Sequence, residues 1–204
     1  MAEVGIKTAY IKVNGKTIEL DHSFLGVAKA DFKGLSGNLT NISGSNRIQY
    51  SYVEPNKPTL ALTVNQAGSQ LIADITGATK LGENGLFTPG DKLPAVGVAV
   101  VAPELGLNKD RVIIFDKARA TVSTVSLSTN TDSKKQVVFD QITFNANYSE
   151  QLKDTYTQGY IDADTAESVL QQLGWPTVSK GSGDFKDDAD GSVAASSGVQ
   201  PKHD

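Results

Sequence analysis

The stretch "TAYIKVNGKTIEL", Thr8–Leu20, contains two runs in which apolar and polar residues alternate. Alternation with a period of two is typical of a β-strand with one buried face. Asn14 and Gly15 separate the runs, and this dipeptide readily adopts the two positive φ angles of a type I′ turn. The stretch therefore predicts a β-hairpin with Ile11 and Val13 on one face of its first strand.

Further runs that predict buried or half-buried strands follow along the chain. They include "TLALTVN", "AVGVAVVAP" and "RVIIFDKARATVSTVSLST". The stretch "TVSLSTNTDSKKQVVFDQITFNANYSE", Thr124–Glu150, consists of two alternating runs joined by a polar turn, which predicts another hairpin. The 19 glycines also favour a turn-rich β architecture. The sequence therefore predicts a mainly β fold.

Two segments carry apolar residues at helical spacing instead. The segment "QAGSQLIADITGATK" places Leu71, Ile72 and Ile75 at positions that share one face of a helix. In "DADTAESVLQQLGWP", Asp164 is the predicted N-cap and Gly174 is the predicted stop signal of a short helix. We therefore expect one helix flanking the strands and a second, short helix near the C-terminus.

A change of composition after residue 150 divides the chain into three predicted parts. Residues 1–150 hold 15 basic and 14 acidic residues and form the β domain, whereas residues 151–204 hold 4 basic and 9 acidic residues. Residues 151–176 form an extension with the short helix. Residues 177–204 are rich in Gly, Ser and Asp and bury too little apolar surface to offset the entropy of ordering, which predicts a disordered acidic tail.

Charge and composition argue against several classes of function. The near-neutral body offers no cluster of basic residues of the kind that binds nucleic-acid phosphates. No run of 18 apolar residues is present that could span a membrane, and the start of the chain lacks the apolar segment of a secretory signal. The chain has no cysteine, which excludes disulfide bonds and thiolate metal sites. We expect no membrane association and no specific binding of nucleic acid.

Few residues offer catalytic or metal-binding chemistry. The two histidines, His22 and His203, accompany no nucleophile motif and no second strong metal ligand. The acidic run "DFKDDADG" fails as a calcium loop, because Lys186 and Ser197 occupy its first and last ligand positions. Asp140 either belongs to a two-carboxylate hydrolase site or marks a bulge or an edge position of a strand. The structural interpretation, a bulge or an edge position, is favoured. We expect no catalytic, cofactor or metal site.

The order of the segments resembles that of a known family. "LGVAKADFKGLS", "GSNRIQY", "LALTVN" and "QLIADITGATKLGENGLF" follow one another, and "ARATVSTVSLSTNTDSKKQVVFDQITFNANYS" is the strongest match. Over Val4–Tyr148 the chain is similar to the major tail (tail tube) proteins of long-tailed, non-contractile bacteriophages. The resemblance implies a β-sandwich or half-barrel with one flanking α-helix. It also implies a structural virion protein that has no cofactor and is not an enzyme.

The same resemblance implies the partners of the protein. Members of the family form hexameric rings of identical subunits, the rings stack into a tube, and genome DNA passes through the tube without specific binding. The tape measure, the tail terminator and the distal tail initiator are the other implied partners. The tail would be assembled in the cytoplasm of the bacterial host.

Two stretches are longer than simple connections between strands, namely Gly34–Asn46 and Lys80–Leu93. We expect both to be loops, either functional or simply mobile at the surface. In the family that the chain resembles, a long loop between early strands reaches the neighbouring ring, which makes the first stretch the first candidate for this contact. The second is the alternative, since an apolar pair at a loop tip suits burial by another subunit. The candidate contact residues are Leu35, Leu39, Ile42, Leu86 and Phe87.

An immunoglobulin-like or carbohydrate-binding β-sandwich of a virion or cell-surface protein is the alternative function. Such a module would explain the strands and the Gly-rich loops equally well. It would usually present clustered exposed aromatic residues that stack on sugars. Trp175 is the sole tryptophan here, and the tyrosines are scattered. The residues therefore favour the hypothesis of a tail tube protein over that of a sugar-binding module.

Overall fold

The computed structural model describes residue 3 and residues 5–82, 86–122 and 139–183. Within these residues the protein contains thirteen β-strands and two α-helices. The strands are β1 (Thr8–Val13), β2 (Lys16–Glu19), β3 (Val27–Lys33), β4 (Leu39–Gly44), β5 (Arg47–Val53), β6 (Thr59–Val64), β7 (Thr79–Leu81), β8 (Leu86–Thr88), β9 (Val96–Pro103), β10 (Lys109–Thr121), β11 (Asp140–Ala146), β12 (Thr157–Asp162) and β13 (Val178–Ser179). The helices are α1 (Ser69–Thr76) and α2 (Ala166–Gln172). The prediction of a mainly β fold with few helices is confirmed.

Nine strands form one large sheet, in the order β13-β2-β1-β9-β10-β11-β6-β3, with β12 paired to β10 off this path. The 13-residue strand β10 joins the two parts of the sheet. Its first half pairs with β9 and β12, and its second half pairs with β11. A register shift between Phe115 and Ala118 separates the halves. Because such irregularities bend a strand, the sheet can enclose one core between its two parts.

Buried side chains form two clusters on opposite faces of the central strands. Alternate residues of β1 and β10, such as Ile11 and Phe115, point into the larger cluster, which β6, β9, β11 and α1 complete. The intervening residues, such as Tyr10 and Ile114, belong to the smaller cluster, which includes Leu170 of α2. The central strands are thus apolar on both faces, because the rest of the sheet covers one and the C-terminal segment covers the other.

The hairpin predicted at Thr8–Leu20 is confirmed. β1 pairs antiparallel with β2, and Val13 lies opposite Lys16. Asn14 and Gly15 between them have φ angles of 50° and 71°, the left-handed values that the turn requires. The other predicted hairpin is seen only in part: its second strand is β11, and residues 123–138 lie outside the described part of the chain.

The prediction that Gly34–Asn46 and Lys80–Leu93 are long loops is wrong. The first contains β4, which pairs antiparallel with β5. The second overlaps β7 and β8, which form another two-stranded sheet. The polar residues that suggested a loop serve a turn between strands, since Ser45 and Asn46 have positive φ angles of 51° and 61°. Both stretches therefore contain strands of β-hairpins, whereas residues 34–38 and 89–93 are not part of a strand.

The predicted N-cap of the C-terminal helix is also wrong. α2 begins at Ala166, and Thr165 precedes it at the capping position without a side-chain capping bond. Asp164 has a positive φ of 63° and forms an ion pair with Lys7 at 2.8 Å. The Asp164 carboxylate, which the local sequence assigned to the helix as its cap, thus binds Lys7 instead. Local pattern cannot reveal this contact, because the two residues are far apart in the sequence.

The predicted disordered tail begins too early. Val178 and Ser179 form β13, which pairs in parallel with β2. Beyond β13, the backbone N–H of Gly181 donates to the Asp21 carboxylate at 2.6 Å. The prediction of a disordered tail from residue 177 onward is therefore wrong for residues 178–183. Residues 184–204 lie outside the described part of the chain.

Candidate assembly surface

The hairpin of β4 and β5 is a separate two-stranded sheet and is rich in exposed apolar side chains. Among the described residues, six of the fifteen exposed large hydrophobic side chains lie on it. These six are Leu39, Ile42, Ile48, Tyr50, Tyr52 and Val53. A two-stranded hairpin in water is only marginally stable by itself. Clustered apolar exposure of this kind marks a surface that binds a partner.

One face of this hairpin carries its two tyrosines, whereas the exposed side chains of Leu39 and Val53 lie opposite each other on the other face. Ile42 lies directly opposite Tyr50, and cross-strand neighbours share a face. The rings of Tyr50 and Tyr52 stack with their centroids 6.4 Å apart. On the other face, the Ser51 hydroxyl donates to the side-chain oxygen of Asn41 at 2.7 Å. We call the face with Ile42, Tyr50 and Tyr52 the tyrosine face.

The base of the hairpin is tied to the body of the protein. The backbone N–H of Glu54 donates to the carbonyl oxygen of Asn38 at 2.9 Å. At Gly37 the two arms are so close that a Cβ would meet the Glu54 carbonyl oxygen at 1.8 Å. The Tyr156 hydroxyl donates to the carbonyl oxygen of Leu35 at 2.7 Å. The arm therefore has a fixed base and an exposed outer part.

The five predicted contact residues occupy three different places. Leu35 lies at the base of the hairpin, where its side chain packs against the larger core cluster. Leu39 and Ile42 lie on β4, and their side chains are 64% and 52% exposed. Leu86 and Phe87 lie on β8, where Leu86 is exposed and Phe87 is half-buried near α1. Their part in contacts between rings stays a prediction.

The two small hairpins lie at opposite ends of the large sheet. The β4–β5 hairpin connects the end of β3 to the start of β6, and the pairing of β6 through β11 directs these ends toward the start of β10. The segment with α1, β7 and β8 connects the end of β6 to the start of β9. The same registers place that connection toward the end of β10.

A groove of about 380 Å³ lies beside α1 at that second end. Its apolar lining consists of Ile72, Ala73, Ala78 and Phe87. Among the described residues, Asp140 is the only charged one that lines it, and its carboxylate accepts a hydrogen bond from the backbone N–H of Ala67 at 2.9 Å. Asp140 begins β11 opposite Val64 in regular register. It therefore fixes the approach to α1 and marks a strand end, not a bulge.

Sequence reasoning missed one buried carboxylate. Asp116 lies at the irregularity of β10 and is 8% exposed. It accepts hydrogen bonds from the Lys12 ammonium, the Ser149 hydroxyl and the Trp175 indole N–H. Burial raises the pKa of Asp116, but these three donors outweigh that effect and hold the pKa below its ordinary value. The signal in the sequence was a polar pair inside the apolar run "VIIFDKARA".

The described residues offer no arrangement of three His, Asp or Glu side chains that could hold a metal ion. His22 begins a 3-10 turn over His22–Phe24. The other histidine, His203, lies in the part of the chain that is not described, as does the acidic run at residues 184–191. The exposed hairpin is the main candidate for a functional surface.

Comparison with models of protein families gives a match to a family described as phage tail tube protein, over residues 12–173. The chain belongs to this family. No curated protein matches it. Since tail tube proteins are structural components of phage tails, the protein is a virion tail component that is assembled in the host cell. Family membership also implies self-assembly and contact with other tail proteins.

The family match extends beyond Tyr148, where the resemblance seen in the sequence ended. It includes β12, which pairs with β10 from Thr157 to Asp162, and it continues through α2. The C-terminal elements are therefore part of what this tail tube protein shares with its family. Within the described part of the chain, neither α1 nor α2 has the length and apolar character of a membrane-spanning helix.

Proposed function

We propose that this tail tube protein assembles into hexameric rings, that the rings stack into a tube, and that phage DNA passes through its lumen. Family membership supports the structural role. The observation that carries the stacking part is the β4–β5 hairpin, whose apolar side chains are exposed in the single subunit. Contact with another subunit would remove those side chains from water.

The hairpin has the dimensions of a contact arm. β4 has six residues, and with a rise of about 3.3 Å per residue it extends roughly 20 Å from its base. Full burial of a side chain such as Ile or Leu contributes about 1.5–3 kcal/mol. Each subunit of a ring would supply one arm, so that many weak contacts act together between two rings.

A closed ring needs a head-to-tail interface between two different surfaces of the subunit. The large sheet offers two such surfaces among the described residues, because two of its strands have a free edge. β3 is the last strand in the order on one side, and β12 pairs with β10 alone. On β3, Lys29 and Asp31 form an ion pair at 2.6 Å. Charged side chains on an edge strand limit unspecific pairing with other sheets, which leaves the edge for a specific partner.

Passage of DNA without binding requires a wall that is not basic. The charges of residues 1–150 nearly cancel, and the whole chain has a net charge of −4. Each contact between a basic side chain and a phosphate releases counterions and adds affinity, which would slow the DNA. The charge balance of the chain therefore supports a conduit that DNA crosses freely.

Removal of the arm tests this function. Residues 39–53 are replaced by a short Gly-Ser linker, which the adjacent positions of Asn38 and Glu54 permit without strain in the body. We expect the wild type to form rings and tubes by light scattering and electron microscopy. The variant should keep the circular dichroism spectrum and melting temperature of the wild type but form no tubes.

The matched control is Ser51→Ala, which removes one hydroxyl from the other face of the same hairpin and should leave tubes unchanged. Tubes of wild-type length from the armless variant would show that the hairpin is not the stacking element. A wild-type protein that stays monomeric at every concentration and salt condition would contradict the ring and tube proposal as a whole.

A sugar-binding module is the second candidate, and the stacked pair of Tyr50 and Tyr52 favours it. Exposed aromatic rings are the surfaces on which sugars stack. Saturable binding of glycans by a monomer, abolished by Tyr50→Ala, would support this candidate. Self-association of the wild type together with an absence of glycan binding would support the tail tube.

A further inference from the structure

We propose that the tyrosine face of the β4–β5 hairpin docks into the groove beside α1 of a second copy of this chain, in the next ring. The inference rests on the proposed function, because it names the surface that receives the arm. Its basis is the arrangement of two apolar surfaces at opposite ends of one subunit.

Position is the first argument. The hairpin lies toward the start of β10 and the groove toward its end, as the strand registers require. Two subunits related by a shift along this direction bring the arm of one next to the groove of the other. Such a contact is heterologous and leaves a free arm and a free groove at the two ends, so that stacking can continue without limit.

Apolar exposure is the second argument. Around the groove, several large hydrophobic side chains are exposed in the single subunit, and Phe87 lies half-buried within it. The exposed ones on or next to the strands of this end are Leu81, Leu86, Leu93 and Phe139. The tyrosine face would cover them, and aromatic rings that meet edge to face gain energy beyond burial alone.

Charge is the third argument. Arg47, at the start of β5, is the only charged residue in the segment 39–53. Asp140 is the only charged residue that lines the groove within the described part of the chain. The arm and the groove therefore carry single charges of opposite sign. Opposite charges on two mostly apolar surfaces set the orientation in which they associate.

The absence of native cysteine makes cross-linking a direct test. A variant with Ile42→Cys and Phe87→Cys is assembled and treated with a short bismaleimide cross-linker. Because each copy carries both cysteines, docking should link subunits in series and give a ladder beyond the dimer on a denaturing gel. The matched control carries Asn41→Cys and Phe87→Cys, with the first cysteine on the other face of the hairpin, and should give no ladder.

The outcomes separate the two proposals. Tubes without a ladder from the Ile42 and Phe87 pair overturn the docking inference and leave the tube function standing. A ladder of equal intensity from the Asn41 control also overturns it, since the tyrosine face would not be the contact. Failure of the wild type to form tubes under any condition overturns the proposed function itself and the docking inference with it.

Mixing of two blocked variants covers the case in which the cysteine variants do not assemble. The armless variant keeps its groove, and Ser69→Trp blocks the groove at an exposed position of α1 but keeps the arm. Each alone should stop at single rings, whereas the mixture should give pairs of rings and nothing longer. Long tubes from Ser69→Trp alone, or no paired rings in the mixture, would overturn the inference.

Discussion

Asp116 shows how one side chain can hold distant parts of this chain together. Its carboxylate joins Lys12 of β1, Ser149 after β11 and Trp175 after α2. A buried charge costs free energy unless donors compensate it, and here three donors do so. The same group anchors the C-terminal segment, because the indole of Trp175 donates to it at 2.9 Å.

Loss of this charge should destabilise the protein. We expect Asp116→Asn to lower the free energy of unfolding by about 3 kcal/mol, because it leaves the Lys12 ammonium without its buried partner. The matched control is Asp31→Asn, whose ion pair with Lys29 is exposed and should contribute at most about 1 kcal/mol. Urea unfolding of the three proteins measures both effects, and equal midpoints for the two variants would contradict the prediction.

The lowered pKa of Asp116 also predicts a dependence of stability on pH. A carboxyl group with a depressed folded-state pKa stabilises the fold above its unfolded pKa of about 4. That contribution is lost as the pH falls through the folded-state value. Wild type should therefore lose more stability than Asp116→Asn when urea midpoints are measured from pH 6 to strongly acidic pH, and parallel curves would argue against this role.

At the scale of elements, the C-terminal segment completes the outer face of the sheet. Trp175 is 3% exposed and lies over Gly97 of β9, where a Cβ would meet the indole ring at 2.7 Å. Leu170 of α2 joins Tyr10 in the smaller core cluster. Glycine at position 97 thus allows a close approach that any larger side chain would prevent, and the segment packs as part of the domain.

Leu170 should contribute far more to stability than its neighbour Leu173. Leu170 is 1% exposed, so that Leu170→Ala leaves a cavity and should cost about 2–5 kcal/mol. Leu173 follows α2 and is only half-buried, so Leu173→Ala should cost clearly less. Thermal and urea unfolding give both values, and equal losses would mean that α2 does not pack through Leu170.

Truncation should separate β13 from the residues that follow it. A chain that ends at Gly183 keeps β13 and the hydrogen bonds donated by the backbone N–H groups of Gly181 and Gly183, and should melt as the wild type does. A chain that ends at Pro176 loses them, at about 0.5–1.5 kcal/mol for each hydrogen bond. Differential scanning calorimetry compares the two, and identical melting temperatures would show that β13 adds nothing to the fold.

At the scale of the whole molecule, apolar exposure is concentrated at its two ends. The β4–β5 hairpin lies at one end, and the groove with Leu81 and Leu86 lies at the other. A subunit that is apolar at opposite ends is suited to an assembly that grows along one axis. The edge of the sheet carries charged residues such as Lys29 and Asp31 on β3. These residues suit the proposed contact between neighbouring subunits of one ring.

Assembly should depend on the tyrosine face and not on the hairpin in general. The double variant Ile42→Ser and Tyr50→Ser should shift sedimentation from large assemblies to rings or single subunits, because it removes apolar area that the partner would bury. The control, Asn41→Ala and Ser51→Ala on the other face, should sediment as the wild type does. Unchanged assembly of the serine variant would contradict the role of this face.

The local pattern of the chain determined most strands of the large sheet, the Asn14-Gly15 turn and the existence of both helices, because alternation, turn dipeptides and helical spacing act over a few residues. It did not predict β4, β7, β8, β12 or β13. The sequence also carried the resemblance to the tail tube family, which the family match confirms. Tertiary structure alone decided that β4 pairs with β5 outside the large sheet and that β13 closes on β2. It also decided that Asp116 is the buried anchor of Trp175. The last two depend on partners far apart in the chain, which local pattern does not reveal. In the β4–β5 hairpin, a composition rich in Gly, Asn and Ser predicts a loop until a second strand supplies the hydrogen bonds that turn the segment into a hairpin.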